Sequence, residues 1–289
     1  MTQNTAAAFD LAGYLKNRAR EVDQALEAFL PAGGSYMGNL GDAMRYGVFP
    51  GGKRFRPVLA LAAAEALGAD RSRAMPAACA FELVHCFSLV HDDLPCMDND
   101  VERRGKPTCH VAFGEDVALL AGDALVIHAF QVASETAATA GPDVAVRVLR
   151  ELAFASGHPG MVGGQVLDMH GQRHGVDPAG LLAIHHAKTG ALIRGSVRAG
   201  AMVGGASEAR LEALTGYGER VGLVFQITDD ILDAGEDPDP ISFPSLFGMD
   251  ASRRMAAEAT EEAVALLAPF GAPAEPLVHL ARYLLDRSV

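Results

Sequence analysis

The sequence predicts an all-α protein, and two observations support this. Apolar residues recur at intervals of three and four through most of the chain, in long segments rich in alanine and leucine. No region shows the sustained alternation with β-branched residues that is typical of strands. We expect helices at about residues 9–30, 53–68, 73–94, 111–139, 142–156, 177–204, 207–233, 250–268 and 273–287.

One expected helix is unusually rich in glycine. The segment from Lys188 to Gly205 has helical periodicity although it contains five glycines, each of which costs a helix about 1 kcal/mol relative to alanine. Either neighbouring helices pack closely against these glycines, or the helix bends and brings Lys188 and Thr189 into a cavity. The sequence leaves both explanations open.

Length and composition favour a single domain, residues 1–289, with a large buried core. Hydrophobic residues make up 49% of the chain, and no Ser- or Pro-rich linker divides it. No apolar run approaches the roughly 20 residues that span a bilayer, and the first ten residues lack the features of a secretory signal. The formal net charge of -12 disfavours nucleic acid as a partner. We therefore expect a cytoplasmic protein without stable membrane insertion.

The four cysteines form no close pair of the kind that binds zinc or performs redox chemistry, which is typical of a reducing compartment. We expect them to be buried as small apolar side chains. They are Cys79, Cys86, Cys96 and Cys109.

Two aspartate clusters, far apart in this apolar chain, carry the clearest chemical signal. In the second cluster Asp229 and Asp233 are four residues apart, so a helix places them on one face. Asp230 lies beside them and Gln226 lies one turn back. Carboxylates so close repel one another, and the negative end of the helix dipole adds up to about 1 kcal/mol. A bound cation removes both costs.

The first cluster contains Asp92, Asp93 and Asp98, and Pro95 interrupts its helix, so the chain must bend to bring Asp98 to the others. His85 lies two turns before Asp92 on the same stripe, and we expect it to contact a ligand. An acidic run is often a solvated surface, but both clusters follow strongly apolar runs. Oxygen ligands favour Mg²⁺, which is usually held by one or two carboxylates with substrate phosphates. The clusters therefore predict a nucleotide or diphosphate ligand.

Basic residues that lie before and after the first aspartate cluster suit an anionic substrate. Three cations stand at a helix start, where free N–H groups already favour an anion: Lys53, Arg54 and Arg56. Guanidinium groups suited to bidentate phosphate contacts follow the first cluster: Arg103 and Arg104. Five other histidines are expected to be structural: His91, His110, His128, His185 and His186.

Together these segments resemble the short-chain trans-prenyl diphosphate synthases, of the bacterial farnesyl or geranylgeranyl diphosphate synthase type. The resemblance extends from about Leu40 to the end of the chain. The segments that carry it are GGKRFRP (51–57), ELVHCFSLVHDDLPCMDNDVERRGKPTCH (82–110), FGEDVALLAGDAL (113–125), GMVGGQVLDM (160–169), HHAKTGALI (185–193) and GLVFQITDDILD (222–233).

The resemblance implies an isoprenoid synthase-type helical bundle around a central cavity, usually a homodimer, with up to three Mg²⁺ ions bridging the clusters to an allylic diphosphate. The implied metal site is Asp92, Asp93, Asp98, Asp229, Asp230 and Asp233. The implied allylic diphosphate contacts are Arg103, Lys188, Thr189 and Gln226. The implied isopentenyl diphosphate site, metal-free and therefore basic, is Lys53, Arg56, His85 and Arg104. The residues taken as catalytic are Asp92, Asp93, Arg103, Lys188 and Asp229, and Gln165 and Asp168 are expected in the cavity wall.

The implied reaction is a Mg²⁺-dependent head-to-tail condensation of isopentenyl diphosphate with dimethylallyl or geranyl diphosphate. Phe87 is five residues before Asp92, about 7.5 Å along the helix, where its ring could form the floor of the chain pocket. In resembling enzymes a large aromatic at this position accompanies farnesyl diphosphate as the product. We therefore expect mainly farnesyl diphosphate, with geranylgeranyl diphosphate as the alternative.

The chain departs from the family pattern after Asp233. The family usually carries a longer loop with one or two lysines that close over the allylic diphosphate. Here residues 234–248 form a shorter loop, and Ile241 stands where the lysine would be. Acidic residues are added beside the site: Glu236, Asp237 and Asp239. Either the loop is absent and catalysis is weaker or altered, or the sequence lacks a native segment. A non-catalytic partner subunit would tolerate the missing lysines, and a terpene cyclase would not need the basic isopentenyl site.

Overall fold

The computed structural model describes residues 9–34, 37–49, 52–235 and 239–286. Its helices are α1 (Leu11–Phe29), α2 (Leu40–Val48), α3 (Phe55–Glu65), α4 (Met75–Asp92), α5 (Cys109–Phe113), α6 (Glu115–Ser134), α7 (Thr136–Ala140), α8 (Pro142–Ser156), α9 (Met161–His174), α10 (Pro178–His185), α11 (Ala191–Val203), α12 (Glu208–Asp233), α13 (Phe243–Phe247), α14 (Met249–Leu266) and α15 (Glu275–Leu285). Two short strands, β1 (Glu102–Arg103) and β2 (Lys106–Pro107), form an antiparallel hairpin.

The all-α prediction is confirmed, and most expected helices lie within a few residues of observed ones. The expected helix at 111–139 is instead three helices, because the chain turns at Gly114, where φ is 94°, and again at Glu135. Helices α2, α9 and α13 were not predicted from the sequence. Helix α9 contains three glycines, which weaken its helical signal, and α13 has only five residues.

The core is built around helices that are buried on nearly every side. Helix α3 is buried from Pro57 to Ala64, and α4 is buried along most of its length. Helix α4 packs along α6, whereas α11 packs between α3 and α12. Such helices are apolar all round because each contacts protein in several directions. This packing brings α4 and α12 to a common pocket, which His85 and Phe225 both line.

Glycines allow α11 to approach its neighbours at backbone distance. A Cβ atom added at Gly200 would lie 2.0 Å from the carbonyl oxygen of Ala60 in α3. A Cβ atom at Gly195 would lie 2.7 Å from the ring of Phe81 in α4. Close helix packing therefore explains these two glycines, and it offsets their low helix propensity.

Arg54 is a structural residue, which corrects the expectation that it contributes to a phosphate cradle. Its side chain is 1% exposed and donates hydrogen bonds to Glu82 at 2.9 Å, to Asp23 at 2.8 Å and to the carbonyl oxygen of Val48 at 2.8 Å. Burial acts to lower the Arg54 pKa, but the charge and hydrogen bond of Glu82 outweigh this and raise it. All three ends of the guanidinium are thus committed to the fold.

Three cysteines are buried as expected, namely Cys79, Cys86 and Cys109, but Cys96 is exposed, so that part of the expectation was wrong. Cys96 follows Pro95 in the turn after α4, outside the core. Burial raises the pKa of the Cys86 thiol to about 12.

Two described segments are long and apolar enough to cross a membrane by length and composition, Arg71–Asp92 and Glu115–Ala140. The first is the core segment that contains α4, and 67% of its apolar window is buried within the protein. The second contains α6, of which 39% of the window is buried. The expected lack of membrane insertion stays a prediction.

We predict that Glu82→Ala lowers the free energy of unfolding by about 3 kcal/mol, because it removes the main buried partner of the Arg54 charge. Glu262→Ala provides the matched control, since it breaks the ion pair with Arg220, whose two side chains are 40% and 59% exposed. The control should cost less than about 1 kcal/mol. Urea unfolding of both variants measures this, and equal losses would show that Arg54 does not depend on Glu82.

Candidate active site

The first aspartate cluster lies where α4 ends. Asp92 is the last residue of α4, and the chain then turns at Pro95 so that the backbone N–H of Asp98 donates to the carbonyl oxygen of Asp92 at 2.9 Å. The predicted bend that brings Asp98 back to Asp92 is therefore present. No hydrogen bond or ion pair joins the Asp92 carboxylate to another side chain in the described part of the protein.

Asp93 has a different environment from Asp92. The Arg103 Nε atom lies 2.7 Å and 3.0 Å from the two oxygens of Asp93, and a terminal guanidinium nitrogen lies 2.6 Å from Oδ1. The Asp93 side chain is 4% exposed, and its hydrogen bond raises the pKa of Arg103. The expectation for Asp93 was a metal ligand. In this structure it pairs with Arg103, which lies in β1, and the metal-ligand role stays a prediction.

An apolar cavity of about 490 Å³ adjoins Asp92. Phe87, which is 8% exposed, lies in its wall with its ring edge-on to His91 at 5.5 Å between centroids. The polar residues of the lining are Arg56, His85, Ser88, His91, Asp92, Gln165, Lys188 and Thr189. Gln165 thus lies in the cavity wall as expected, and His91, which was expected to be structural only, also lines it.

A π-helical turn, His186–Gly190, carries Lys188 and Thr189 between α10 and α11. Two glycines of neighbouring helices make room for this turn. A Cβ atom at Gly164 of α9 would lie 2.2 Å from the backbone nitrogen of Lys188, and one at Gly222 of α12 would lie 3.0 Å from the Cα atom of Gly190. The second explanation for the glycine-rich segment therefore also holds, because the helix is distorted at Lys188.

Lys188 and Thr189 connect the two aspartate clusters. The Nζ atom of Lys188 lies 2.5 Å from Asp168 Oδ2, and its charge also acts on Asp92 and Asp98. Thr189 Oγ1 donates to Gln226 Oε1 at 2.9 Å. Since Gln226 belongs to α12, the π-helical turn contacts the helix that carries the second cluster. Asp168 was expected in the cavity wall, and its role as the ion-pair partner of Lys188 was missed.

The second cluster lies at the end of α12, which terminates at Asp233 as the sequence indicated. Asp230 accepts a hydrogen bond from Gln226 Nε2 at 2.8 Å and another from the backbone N–H of Phe243 at 2.9 Å. Asp229 acts electrostatically on Arg56, which places its charge near the cavity. Asp233 is exposed at the helix end.

His185 makes two buried contacts near Asp230 that were not predicted from the sequence. His185 Nε2 lies 3.7 Å from Asp230 Oδ2 and has no hydrogen-bond partner among the described residues. The His185 ring stacks on Phe243 at 5.2 Å between centroids, and burial lowers its pKa to about 4. The repeated histidines at 185 and 186 gave no signal that only the first is buried.

The shortened segment after α12 packs into the protein. Ile241 and Phe243 are 8% and 0% exposed, and both belong to an apolar cluster with Ile184 and Ile227. The side chain at position 241, where the family pattern has a lysine, is therefore part of a small core. The expected anions Glu236 and Asp237 lie outside the described residues.

The negative charge on the carboxylates of the site is unfavourable in the folded protein. Burial is the main cause that raises the pKa of Asp92 and of Asp230 to about 6 each, and it also raises the pKa of Asp98. Lys188 opposes this for Asp92 but does not compensate it. Carboxylates held in this way suit a divalent cation with oxygen ligands. Within the described residues, no three His, Cys, Asp or Glu side chains converge into a complete metal site.

A second pocket, of about 240 Å³, is basic and adjoins the apolar cavity. Lys53, Arg56, His85 and Arg104 all line it, so the structure brings together the four residues expected at an isopentenyl diphosphate site. Burial, followed by the charges of Arg56 and Arg104, lowers the pKa of His85 well below its ordinary value. Because Arg56 and His85 line both pockets, the two spaces share a wall.

We predict that Asp92→Asn stabilises the metal-free protein at neutral pH. The folded-state pKa of about 6 exceeds the unfolded value, so the aspartate favours folding below about pH 4, and this contribution is lost as pH rises through 6. Discounted for partial solvent screening, the variant should unfold with about 1 to 2 kcal/mol more free energy than wild type at pH 7.5 in EDTA.

The two proteins should be nearly equally stable at pH 4, and chemical unfolding at both pH values measures the difference. Glu258→Gln, on the exposed side of α14, controls for the loss of a surface charge alone. A wild type more stable than Asp92→Asn at pH 7.5 would contradict the buried-charge interpretation.

Comparison with known proteins places this chain in a family. Residues 38–247 match the family described as Polyprenyl synthetase. The chain is similar to the heterodimeric geranylgeranyl pyrophosphate synthase large subunit 1 of Arabidopsis thaliana, at 42% identity over 306 residues, covering 99% of this chain and 82% of the relative. It is also similar to a dimethylallyltranstransferase of Fischerella ambigua, at 42% identity over 301 residues, covering 99% and 86%.

Solved structures give the same result for the fold. An apo FPP/GFPP synthase from Zymomonas mobilis matches with a TM-score of 0.89 at 38% identity, over 96% of this chain and 99% of that one. The isoprenoid synthase-type helical bundle implied by the resemblance is thereby confirmed. The chain belongs to the polyprenyl synthetase family.

Proposed function

We propose that this protein condenses isopentenyl diphosphate with an allylic diphosphate, head to tail, to give mainly farnesyl diphosphate. The observation that carries this proposal is the shared wall of Arg56 and His85 between the apolar cavity and the basic pocket. A two-substrate condensation needs two diphosphate sites and one apolar space for the growing chain. A terpene cyclase, which uses a single diphosphate substrate, has no use for the second basic site.

The carboxylates suit Mg²⁺ because they are oxygen donors whose charge is poorly compensated in the protein alone. In the proposed complex Asp92, Asp98 and Asp229 would hold the ions, and the substrate diphosphate would supply further oxygen ligands. Bound Mg²⁺ would supply stabilisation of the negative charge that develops on the departing diphosphate.

The chain's own residues account for the remaining steps. Lys188 and Thr189 lie in the cavity wall with Asp92 and are placed to contact the allylic diphosphate as its C–O bond breaks. The basic pocket holds the second diphosphate, so that the isopentenyl double bond is presented to the allylic carbocation. A proton then leaves the new C–C product, and the departed diphosphate is the proposed acceptor. The apolar lining excludes water, which would otherwise trap the cation.

Phe87 is the feature that favours farnesyl diphosphate as the product. It lies in the wall of the apolar cavity five residues before Asp92, and its ring is held by its contact with His91. In the proposal this ring ends the space open to the chain. Geranylgeranyl diphosphate is the second candidate, favoured by the names of several relatives, including those from Arabidopsis thaliana and Catharanthus roseus.

The proposed assembly is a cytoplasmic homodimer that buries the exposed apolar side of α6. Leu120 and Ile127 of this helix are 57% and 70% exposed. An exposed apolar surface of this kind is typical of a protein–protein contact. Leu119, 46% exposed, extends this surface to the cavity wall. A relative from Arabidopsis thaliana is named as a subunit of a heterodimer, so a different partner chain is the outcome to distinguish.

The test is incubation of the purified protein with Mg²⁺, labelled isopentenyl diphosphate and dimethylallyl, geranyl or farnesyl diphosphate, followed by product sizing. We expect farnesyl diphosphate from the first two acceptors and little elongation of the third. Elongation of farnesyl diphosphate would favour the geranylgeranyl candidate. No elongation of any acceptor would contradict the proposal and favour a non-catalytic partner subunit, in keeping with the shortened segment after Asp233.

We predict that Phe87→Ala shifts the product to a longer chain, because removing the ring lengthens the apolar space. Phe154→Ala is a matched control, since Phe154 is 49% exposed and lies outside the cavity lining. Product sizing of both variants checks this. An unchanged product distribution for Phe87→Ala would exclude Phe87 as the floor of the pocket.

A further inference from the structure

Asp230 differs from the other aspartates of the site in the partners that it already has. One oxygen, Oδ1, accepts from the side-chain amide of Gln226 at 2.8 Å, and the other, Oδ2, accepts from the backbone N–H of Phe243 at 2.9 Å. The Asp230 side chain is 10% exposed. Both oxygens are therefore engaged with donors from two different parts of the chain.

The hydrogen bond from Gln226 to Asp230 determines the orientation of the Gln226 amide. Because Gln226 Nε2 donates to Asp230, its Oε1 atom faces the other way and accepts the Thr189 hydroxyl proton at 2.9 Å. An amide has one donor end and one acceptor end, so reversing it would place two acceptors, Gln226 Oε1 and Asp230 Oδ1, against each other. The relay from Asp230 through Gln226 thus fixes the direction in which the Thr189 hydroxyl points in the cavity wall.

The second hydrogen bond attaches the shortened segment after α12. Phe243 is the first residue of α13, and its ring lies between His185 and Phe247, with centroid distances of 5.2 Å and 5.7 Å. Its N–H would be an unsatisfied donor at the start of that helix without Asp230. A single carboxylate therefore connects the end of α12, the π-helical turn and the segment that replaces the longer family loop.

We propose that Asp230 is a positioning residue, which holds Gln226, Thr189 and the segment 239–247 in place, rather than a direct ligand of the metal. This inference deepens the proposed function, and its kinetic readout rests on that function. Asp229, one residue earlier, keeps the proposed ligand role.

Asp230→Asn is the most informative variant because its shape is conserved but one acceptor oxygen becomes a donor. Gln226 Nε2 and the Phe243 N–H are both donors, so the asparagine can satisfy only one of them. Glu212→Gln is the matched control, since it also replaces a carboxylate by an amide, at an exposed position on the same helix. Thermal unfolding of both variants first confirms that each is folded.

Hydrogen–deuterium exchange of the metal-free protein tests the structural part without turnover. We expect faster exchange in peptides that contain Phe243 in Asp230→Ala, because that variant removes both acceptor oxygens, and wild-type exchange in Glu212→Gln. Unchanged exchange at Phe243 in Asp230→Ala would overturn the proposal. Gln226→Leu supplies a second variant, and it should leave the Phe243 exchange slow, because Asp230 Oδ2 retains its own donor.

Steady-state kinetics test the positioning of Thr189. We expect Asp230→Asn to raise KM for the allylic diphosphate about tenfold, because that is the effect of losing one hydrogen bond to a charged group. The Mg²⁺ concentration that gives half-maximal activity should change less than about twofold. The KM effects of Asp230→Asn and Gln226→Leu should not multiply in the double variant. A large rise in the Mg²⁺ requirement with unchanged allylic KM would overturn the proposal. If the wild-type protein shows no elongation activity, the proposed function is refuted. The exchange result still decides the role of Asp230 in that case.

Discussion

The candidate site is defined by carboxylates that are buried in an apolar interior at a cost in stability. Asp92 and Asp230 lie at the ends of two core helices, and burial keeps their pKa values near 6. A charged group in such a place is stabilised only by neighbouring charges and donors. Asp230 obtains two donors from the protein itself, whereas Asp92 obtains the more distant charge of Lys188. This difference is the basis for proposing that Asp230 positions other side chains whereas Asp92 binds a ligand.

The position of Lys188 depends in turn on backbone packing. The π-helical turn that carries Lys188 lies against Gly164 and Gly222, where any side chain would meet backbone atoms. The glycines therefore serve both explanations that the sequence left open. Those farther along α11 let it contact α3 and α4, and those on α9 and α12 accommodate the distorted turn. Glycines thus allow close packing of α11 itself, and on the neighbouring helices α9 and α12 they accommodate the distorted turn that carries Lys188.

Sequence periodicity predicted the long helices because their apolar stripes are strong and extend over many turns. It missed α9 because of its glycines, and the β1–β2 hairpin because each strand has only two residues. The motifs predicted which residues meet, including the basic set that lines one pocket. They could not predict the partners of Arg54 and Asp93, because ion pairs between residues distant in sequence follow from tertiary packing. The burial of Ile241 was equally inaccessible, since its neighbours come from other helices.

In the proposed complex Asp92 and Asp229 would hold divalent ions next to one allylic diphosphate. The decisive measurement is anomalous diffraction from crystals grown with Mn²⁺ and an unreactive allylic thiodiphosphate. We expect manganese peaks within coordination distance of both carboxylates, with the diphosphate between them and its chain in the cavity next to Phe87. Manganese bound at only one cluster, or a diphosphate bound away from both, would contradict it.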